Sequence, residues 1–407
     1  MQQAIPPGLP VLDLDPFDEQ FLVDPYPGHT SLRDAGAITW LPRYGIYGMA
    51  RHREVLDSLR DWRTFCSSRG VGLTDFAIEE PWRPPSLLLE VDPPLHDRMR
   101  SILNPLLGSA VLQRFKEEWT PIAEALVDGL VARGEFDGAK DLGEVFPLKV
   151  FPDAVGLEEE GRENLLAYGA LAFNAFGPHN RLLEEALAES GPVSDWVIAR
   201  CKRSMLKAGG LGSSVFGAVD RGELTEDEGE RLVRSFLTAG VDTTVNGLAA
   251  MVHAFASNPE QWAVVRNDRR LVRPAFEEVL RWASPVQAFF RTTTREVRIE
   301  DVVIGEGQKI LLFLGAANRD PRKWSDPDRF DVQRKTTGHV AVGTGVHSCL
   351  GQMVARLEAE VILNALLDRV ESIEAVCPPT LRPNNTLRIF ASVPVRVRVR
   401  AHASCDT

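Results

Sequence analysis

Gly343-Thr344-Gly345-Val346-His347-Ser348-Cys349-Leu350-Gly351 is the stretch that decides the reading of this chain. Glycines at 343, 345 and 351 surround a single cysteine, and the helical run Gln352-Met353-Val354-Ala355-Arg356-Leu357-Glu358 follows at once. Glycine lets the backbone turn back on itself and approach a bulky group closely. A helix that starts just after Cys349 directs free N–H groups and a partial positive charge at the sulfur. Both effects favour thiolate over thiol. A lone cysteine ahead of a helix is ordinarily a buried free thiol. Here the glycine spacing, and a histidine two residues before the sulfur, point to a ligand loop instead.

Outward from that loop, the whole chain sets bounds. Its 407 residues are 44% hydrophobic and 25% charged, ordinary for a globular protein with a sizeable core. A formal charge of −11 argues against a nucleic-acid partner, although a local basic docking patch is compatible with it. The five cysteines (Cys66, Cys201, Cys349, Cys377, Cys405) are scattered and show neither a disulfide framework nor paired zinc spacing. That usage fits a reducing cytoplasm. The N-terminal residues lack the basic and apolar regions of a signal peptide. No run of 18 apolar residues occurs, so no membrane span is expected.

Residues 1–28 are rich in Pro and Asp and read as an extended lead-in, with one domain over 29–407. Ile38-Thr39-Trp40-Leu41 and Ile46-Tyr47-Gly48-Met49 flank turn residues and read as a hairpin. Between about 110 and 280 the apolar spacing is mostly helical. Glu296 to Glu300 and Val302 to Ile310 read as short strands, and Val393 to Arg400 as a terminal strand. The expected fold class is mainly α with small peripheral β-sheets, in a single domain.

Three further motifs stand out. Thr238-Ala239-Gly240-Val241-Asp242-Thr243-Thr244 lies inside the apolar helical run Leu232 to Ala256. Glycine costs about 1 kcal/mol relative to Ala in a helix, and Asp and Thr prefer caps, so the cluster marks a kink or a site. Glu278-Val279-Leu280-Arg281 places an acid and a guanidinium on one helix face. His96 and Arg100, after Asp92-Pro93-Pro94, also share a helix face.

The pattern G-x-G-x-H-x-C-x-G resembles the cysteine-ligand loop of the cytochrome P-450 family of haem-thiolate monooxygenases. The other motifs resemble that family's A-G-x-D-T-T, E-x-x-R and D-P-P-x-H-x-x-x-R segments, in order and at sensible separations. The resemblance implies a single-domain cytochrome P-450 fold with haem b (iron protoporphyrin IX) between the helix near Thr243 and the Cys349 loop. It implies Cys349 as the axial iron ligand, whose thiolate favours O–O cleavage, and His96, Arg100, Arg291 and His347 as partners of the haem propionates. Asp242 and Thr243 match the acid and hydroxyl that supply protons to dioxygen. Glu278 and Arg281 match a structural pair, with Arg329 as the expected third member. One position departs: Val342 stands where the family usually has Phe, which bears on redox potential.

Three segments, 82–86, 172–177 and 284–291, resemble a soluble bacterial subgroup that oxidises para-substituted benzoates, notably by demethylating 4-methoxybenzoate. That resemblance implies Leu89, Phe173, Phe176 and Phe289 against a flat ring, and Arg83, Ser86 and Ser235 at its carboxylate. Independently, Ser235, Ala239 and Thr243 stand at i, i+4 and i+8 on one helix face. No flavin or nicotinamide motif is present. Electrons are therefore expected from an iron–sulfur ferredoxin and its NAD(P)H-dependent reductase, with Arg98, Arg100, Arg114 and Lys116 as candidate docking cations. The rivals are a peroxide-driven haem enzyme, against which Asp242 and Thr243 speak, and a non-enzymatic haem sensor.

Overall fold

The computed structural model describes Pro6 and residues 8–400, so Cys405 lies outside the described residues. Helices dominate, and one buried apolar cluster links helices from Leu95–Leu103 to Gln352–Arg369. Val127, Leu248, Ala249 and Ile362 are fully buried within it. Ser109–Arg133 packs along Gln352–Arg369, and Asp242–Ser257 runs through the middle of the same core. Asp242–Ser257 is apolar nearly all round, as a core helix must be. Among the described residues no helix is long and apolar enough to cross a membrane.

The expected hairpin forms from Thr39–Leu41 and Ile46–Met49. It edges a five-stranded sheet continuing through Lys309–Phe313, Ala288–Thr293 and Phe65–Cys66. Register pairs Phe289 with Leu312 and Arg291 with Ile310. Alternate strand residues share a face, so Phe289 and Arg291 point to the same side, and Phe290 packs away from them in a separate cluster. The expected strand over 302–310 is two strands, Val302–Ile304 and Lys309–Phe313, divided by a turn at the left-handed Gly307. The terminal strand Pro394–Val399 pairs with both Glu135–Asp137 and Val370–Ala375.

The lead-in differs from an extended segment. It carries a helix, Glu19–Val23, and the next helix, Tyr26–Ala35, starts inside its expected limit. Leu9 and Phe17 are buried and Val11 bridges to Trp40, so this stretch packs onto the domain.

The Glu278–Arg281 pair is wholly buried, with two nitrogens of Arg281 at 2.7 Å from the carboxylate. Arg281 also donates to the carbonyls of Asn318, Pro327 and Arg329. The expected third member, Arg329, contributes only its carbonyl. Arg334 supplies the second guanidinium, its Nε at 3.1 Å from Glu278. The turn after Pro327 puts residue 334, not 329, within reach of the acid. A buried carboxylate is tolerable only when its lone pairs are filled, and here two arginines and the Asp331 N–H fill them.

Candidate active site

Backbone geometry builds the Cys349 loop. Gly343 and Gly345 are left-handed, at φ 66° and 69°. A side chain at Gly345 would also press on the Leu59 carbonyl at 3.1 Å. Cys349 N–H donates to the Val342 carbonyl (2.9 Å), closing the turn, and Arg100 Nη1 donates to the Ser348 carbonyl (2.9 Å). Cys349 keeps accessible surface although its thiol lies deep among surrounding atoms, as it would at the wall of an interior hollow. Burial pushes the thiol pKa up, opposed by the Gly351 N–H, Arg100, Arg356 and the Gln352 N–H. The expectation that the helix N-terminus favours thiolate is right in sign, but burial outweighs it. A metal cation at the sulfur would reverse that balance.

Beside the loop, four separate segments converge. His96 and His347 rings lie 4.4 Å apart, and His347 Nε2 is 3.1 Å from Asp92 Oδ1. Burial works against an ionised Asp92, yet hydrogen bonds from His347 and from the N–H groups of Ser67 and Ser68 hold its pKa low. Arg291 is buried, its pKa pressed down to about 10 by that burial, and its guanidinium makes one hydrogen bond among the described residues, to the Phe290 carbonyl. It ion-pairs with no carboxylate among the described residues. His96 Nδ1 is buried and unpartnered, since Asp97 stands 3.6 Å away and exposed. Burial, then His347 and Arg100, lower its pKa to about 4. This surplus of donors and positive charge, next to a sulfur facing a hollow, fits haem with its two propionates.

Across the hollow, the helix expected over Leu232 to Ala256 is two helices, Glu226–Ala239 and Asp242–Ser257. The first opens with a Thr225/Glu228 capping box. It stops at Gly240, where a Cβ would lie 2.1 Å from the Phe151 ring. At the break Thr243 Oγ1 donates to the Ala239 carbonyl (2.9 Å). Ala239 is exposed and Ser235 and Thr243 are partly so, while most neighbouring turns are buried. The three therefore line one open face. Asp242 points elsewhere, its carboxyl packed so closely on the Asn164–Asn174 helix that a Cβ at Gly169 would fall 1.9 Å from Oδ2. Burial drives its pKa well above the usual range, against Arg382 and with Glu144.

The aromatic residues also assemble. Phe173, Phe176, Val71, Leu387 and Ile389 form one buried cluster, with Leu89 and Phe289 packed on it. Phe176 meets Phe173 and Phe289 edge-on, at 5.9 and 5.6 Å. Ser86 and Ser235 hydroxyls lie 3.3 Å apart. Arg83 is not a free cation: Nη1 pairs with the buried Glu90 at 3.3 Å, and Glu90 also accepts the Ser86 N–H.

Arg234, adjacent to Ser235, is a residue that the sequence motifs do not single out. It is buried, donates to the Pro84 carbonyl (2.7 Å), and pairs with no carboxylate among the described residues. Its one signal in the sequence is its place beside Ser235. The candidate docking cations are mostly engaged: Arg98 with Glu228, Lys116 with Glu360, Arg114 with Glu118, and Arg100 inside the polar cluster. They do not form a free basic face.

A model of the family described as Cytochrome P450 matches residues 214–392. "Cytochrome p450 CYP199A2" of Rhodopseudomonas palustris is 52% identical over 96% of this chain and 95% of its own length. A "Beta-dihydromenaquinone-9 omega-hydroxylase" of Mycobacterium bovis is 30% identical, over 95% of this chain and 79% of its own. Among solved structures, cytochrome P450 CYP109Q5 from Chondromyces apiculatus superposes with a TM-score of 0.80 at 30% identity, over 96% of this chain and 99% of that one.

Proposed function

The chain belongs to the cytochrome P450 family of haem-thiolate monooxygenases, and we propose that its substrates are para-substituted benzoates, with 4-methoxybenzoate as the type case. The observation that carries this reading is the Ser86–Ser235 hydroxyl pair, set beside Arg83 and Arg234 at one end of an aromatic-walled pocket. Ser235 and Thr243 stand apart on the open face, one on each side of the helix break at Gly240. That span suits a flat ring with a carboxylate at one end and a small para substituent at the other. A carboxylate buried beside an apolar wall needs pairing and hydrogen bonds, and this is where the pocket offers both.

In this reading haem b, when bound, supplies oxygen activation and insertion into a C–H bond of the para substituent. Cys349 would ligate its iron, and His96, Arg100, Arg291 and His347 would hold its propionates. Ser86, Ser235 and the guanidinium groups fix the carboxylate, so the opposite end of the ring meets the reacting centre. Leu89, Phe173, Phe176 and Phe289 hold the flat ring in place and exclude water, and Ala239 leaves room beneath it. Thr243, whose proton is committed to the Ala239 carbonyl, offers lone pairs to an ordered water. Asp242 holds a proton that it can pass on after its side chain turns from Gly169. Electrons come from a cytoplasmic iron–sulfur ferredoxin and its NAD(P)H-dependent reductase.

A spectral binding titration of the haem-loaded enzyme tests this. Arg83→Ala should weaken 4-methoxybenzoate about tenfold to a hundredfold, from charge-assisted hydrogen bonds worth about 1.5–3 kcal/mol. The neutral 4-methoxybenzaldehyde should bind poorly to wild type and be indifferent to the change. Equal weakening of acid and aldehyde, or no wild-type response to the acid, overturns the benzoate reading.

A further inference from the structure

The turn Asn384-Asn385-Thr386, between the strands Thr380–Arg382 and Ile389–Ser392, is buried although all three side chains are polar. Asn384 Oδ1 accepts the N–H groups of Thr386 and Leu387 and so shapes the turn itself (3.0 and 2.9 Å). The remaining polar groups reach about 210 residues back along the chain. Thr386 Oγ1 donates to the Phe173 carbonyl (2.8 Å). Asn385 N–H donates to Asn174 Oδ1, and Asn385 Nδ2 to the Asn174 carbonyl, each at 2.9 Å. Asn385 and Asn180 exchange amide hydrogen bonds in both directions, at 2.8 and 3.1 Å. Gly177 has no room for a side chain, because a Cβ there would sit 2.5 Å from Asn385 Cγ.

These partners fall on the segment that carries the aromatic wall. The Asn164–Asn174 helix ends at Phe173 and Asn174, and its final carbonyls lack intrahelical donors. A helix of this kind usually ends on a local glycine cap. Here the Gly177 N–H donates to the Asn174 carbonyl (3.0 Å) and the distant turn adds side-chain donors to the Phe173 and Asn174 carbonyls, so residues 384–386 also fix the end of the helix and Phe176 after it. Leu387, next in the turn, packs in the same cluster as Phe173 and Phe176. On the other side the Leu73 N–H donates to the Phe176 carbonyl (2.8 Å), and Lys309 Nζ binds the carbonyls of Arg69, Gly70 and Gly72, each at 3.0 Å. The wall is thus held from two sides, and every bond named on the asparagine side involves at least one side chain.

We propose that Asn385, with Asn174, Asn180 and Thr386, is a positioning clasp that fixes the Phe173–Phe176 wall and controls how fast a ligand leaves the pocket. The proposal rests on the functional reading above only in taking Phe173 and Phe176 as pocket wall. Asn385→Ala removes the amide bonds to the Asn174 carbonyl and to Asn180 together, and leaves the backbone N–H bond to Asn174 Oδ1. Thr386→Val keeps the volume and removes one bond to the Phe173 carbonyl.

The test is stopped-flow release of 4-phenylimidazole, a neutral aromatic iron ligand, from the haem-loaded enzyme, with 4-methoxybenzoate in parallel. Asn385→Ala should speed release at least tenfold and Thr386→Val about threefold, while the spectrum of the reduced carbon-monoxide complex stays that of wild type. Release within twofold of wild type in both variants overturns the proposal, and so does a lower melting temperature with unchanged release. If Asn385→Ala does not fold, Thr386→Val decides by the same criterion. A wild-type enzyme that ignores 4-methoxybenzoate defeats the benzoate reading and leaves the phenylimidazole result standing.

Discussion

Around Cys349 most restraints are main-chain and local: two left-handed glycines, the Cys349 N–H on the Val342 carbonyl, and the N–H groups of Gly351 and Gln352 at the sulfur. Across the hollow, the pocket walls are joined by side chains that are distant in sequence. Ser86 meets Ser235, Arg234 reaches the Pro84 carbonyl, and Asn385 clasps Asn174. The floor is thus defined by what a nine-residue stretch can adopt, and the roof by how separate segments dock. Substitutions on the floor should abolish function or folding, whereas those on the roof should grade affinity and release.

The largest expected effect lies on the floor. Cys349→His should lose the long-wavelength band of the reduced carbon-monoxide complex that the thiolate implies. Turnover should drop at least about a thousandfold, or about 4 kcal/mol of barrier. An unchanged band removes the ligand assignment. Next comes the buried Glu278–Arg281–Arg334 triad. Glu278→Gln leaves Arg281 buried without a counter-charge, at a cost of about 3–5 kcal/mol, read from urea denaturation. Arg334→Met leaves the Glu278–Arg281 pair intact and should cost less. Equal losses would mean that Arg334 is as central as Arg281.

The same contrast explains which features are legible in the sequence. Cys349, the Asp242-Thr243 pair and the Glu278–Arg281 spacing are local patterns, so the residues themselves reveal them. Phe289 and Arg291 share a face because Ala288–Thr293 is a strand, which the sequence reading does not anticipate. Arg329 and Arg334 are hard to tell apart by pattern, because both lie in an irregular stretch whose turns no periodicity reveals. Glu90 carries no signal of its own, because a loop brings its partner Arg83 to it. The Gly240 break is legible as a kink, but the Phe151 ring that leaves no room for a side chain there comes from a helix about 90 residues earlier.

On the roof the expected effects shrink. Glu90→Gln keeps an acceptor for the Ser86 N–H and removes a negative charge beside the proposed carboxylate site. Binding of 4-methoxybenzoate should tighten about threefold to tenfold, roughly 0.7–1.4 kcal/mol. Weaker binding in that titration would mean that Glu90 serves chiefly to orient Arg83, and the roof would then resemble the floor.

Asp242→Asn should give the smallest change in stability and separates folding from chemistry. The Asp242 carboxyl is buried against Gly169, with Arg382 and Glu144 as its charged neighbours, and burial raises its pKa well above the unfolded value. Between those two pKa values the folded state binds more protons than the unfolded one, so stability falls as pH rises. An amide of the same shape removes that slope. The variant should match wild type at acidic pH to within about 0.5 kcal/mol and gain on it as pH rises, in parallel urea melts. Turnover should nonetheless slow, since an amide has no acidic proton to pass on. A variant that loses stability at every pH would show that the carboxyl is ionised and paired in the fold. One that keeps full turnover would take Asp242 out of the proton route while leaving Thr243 in it.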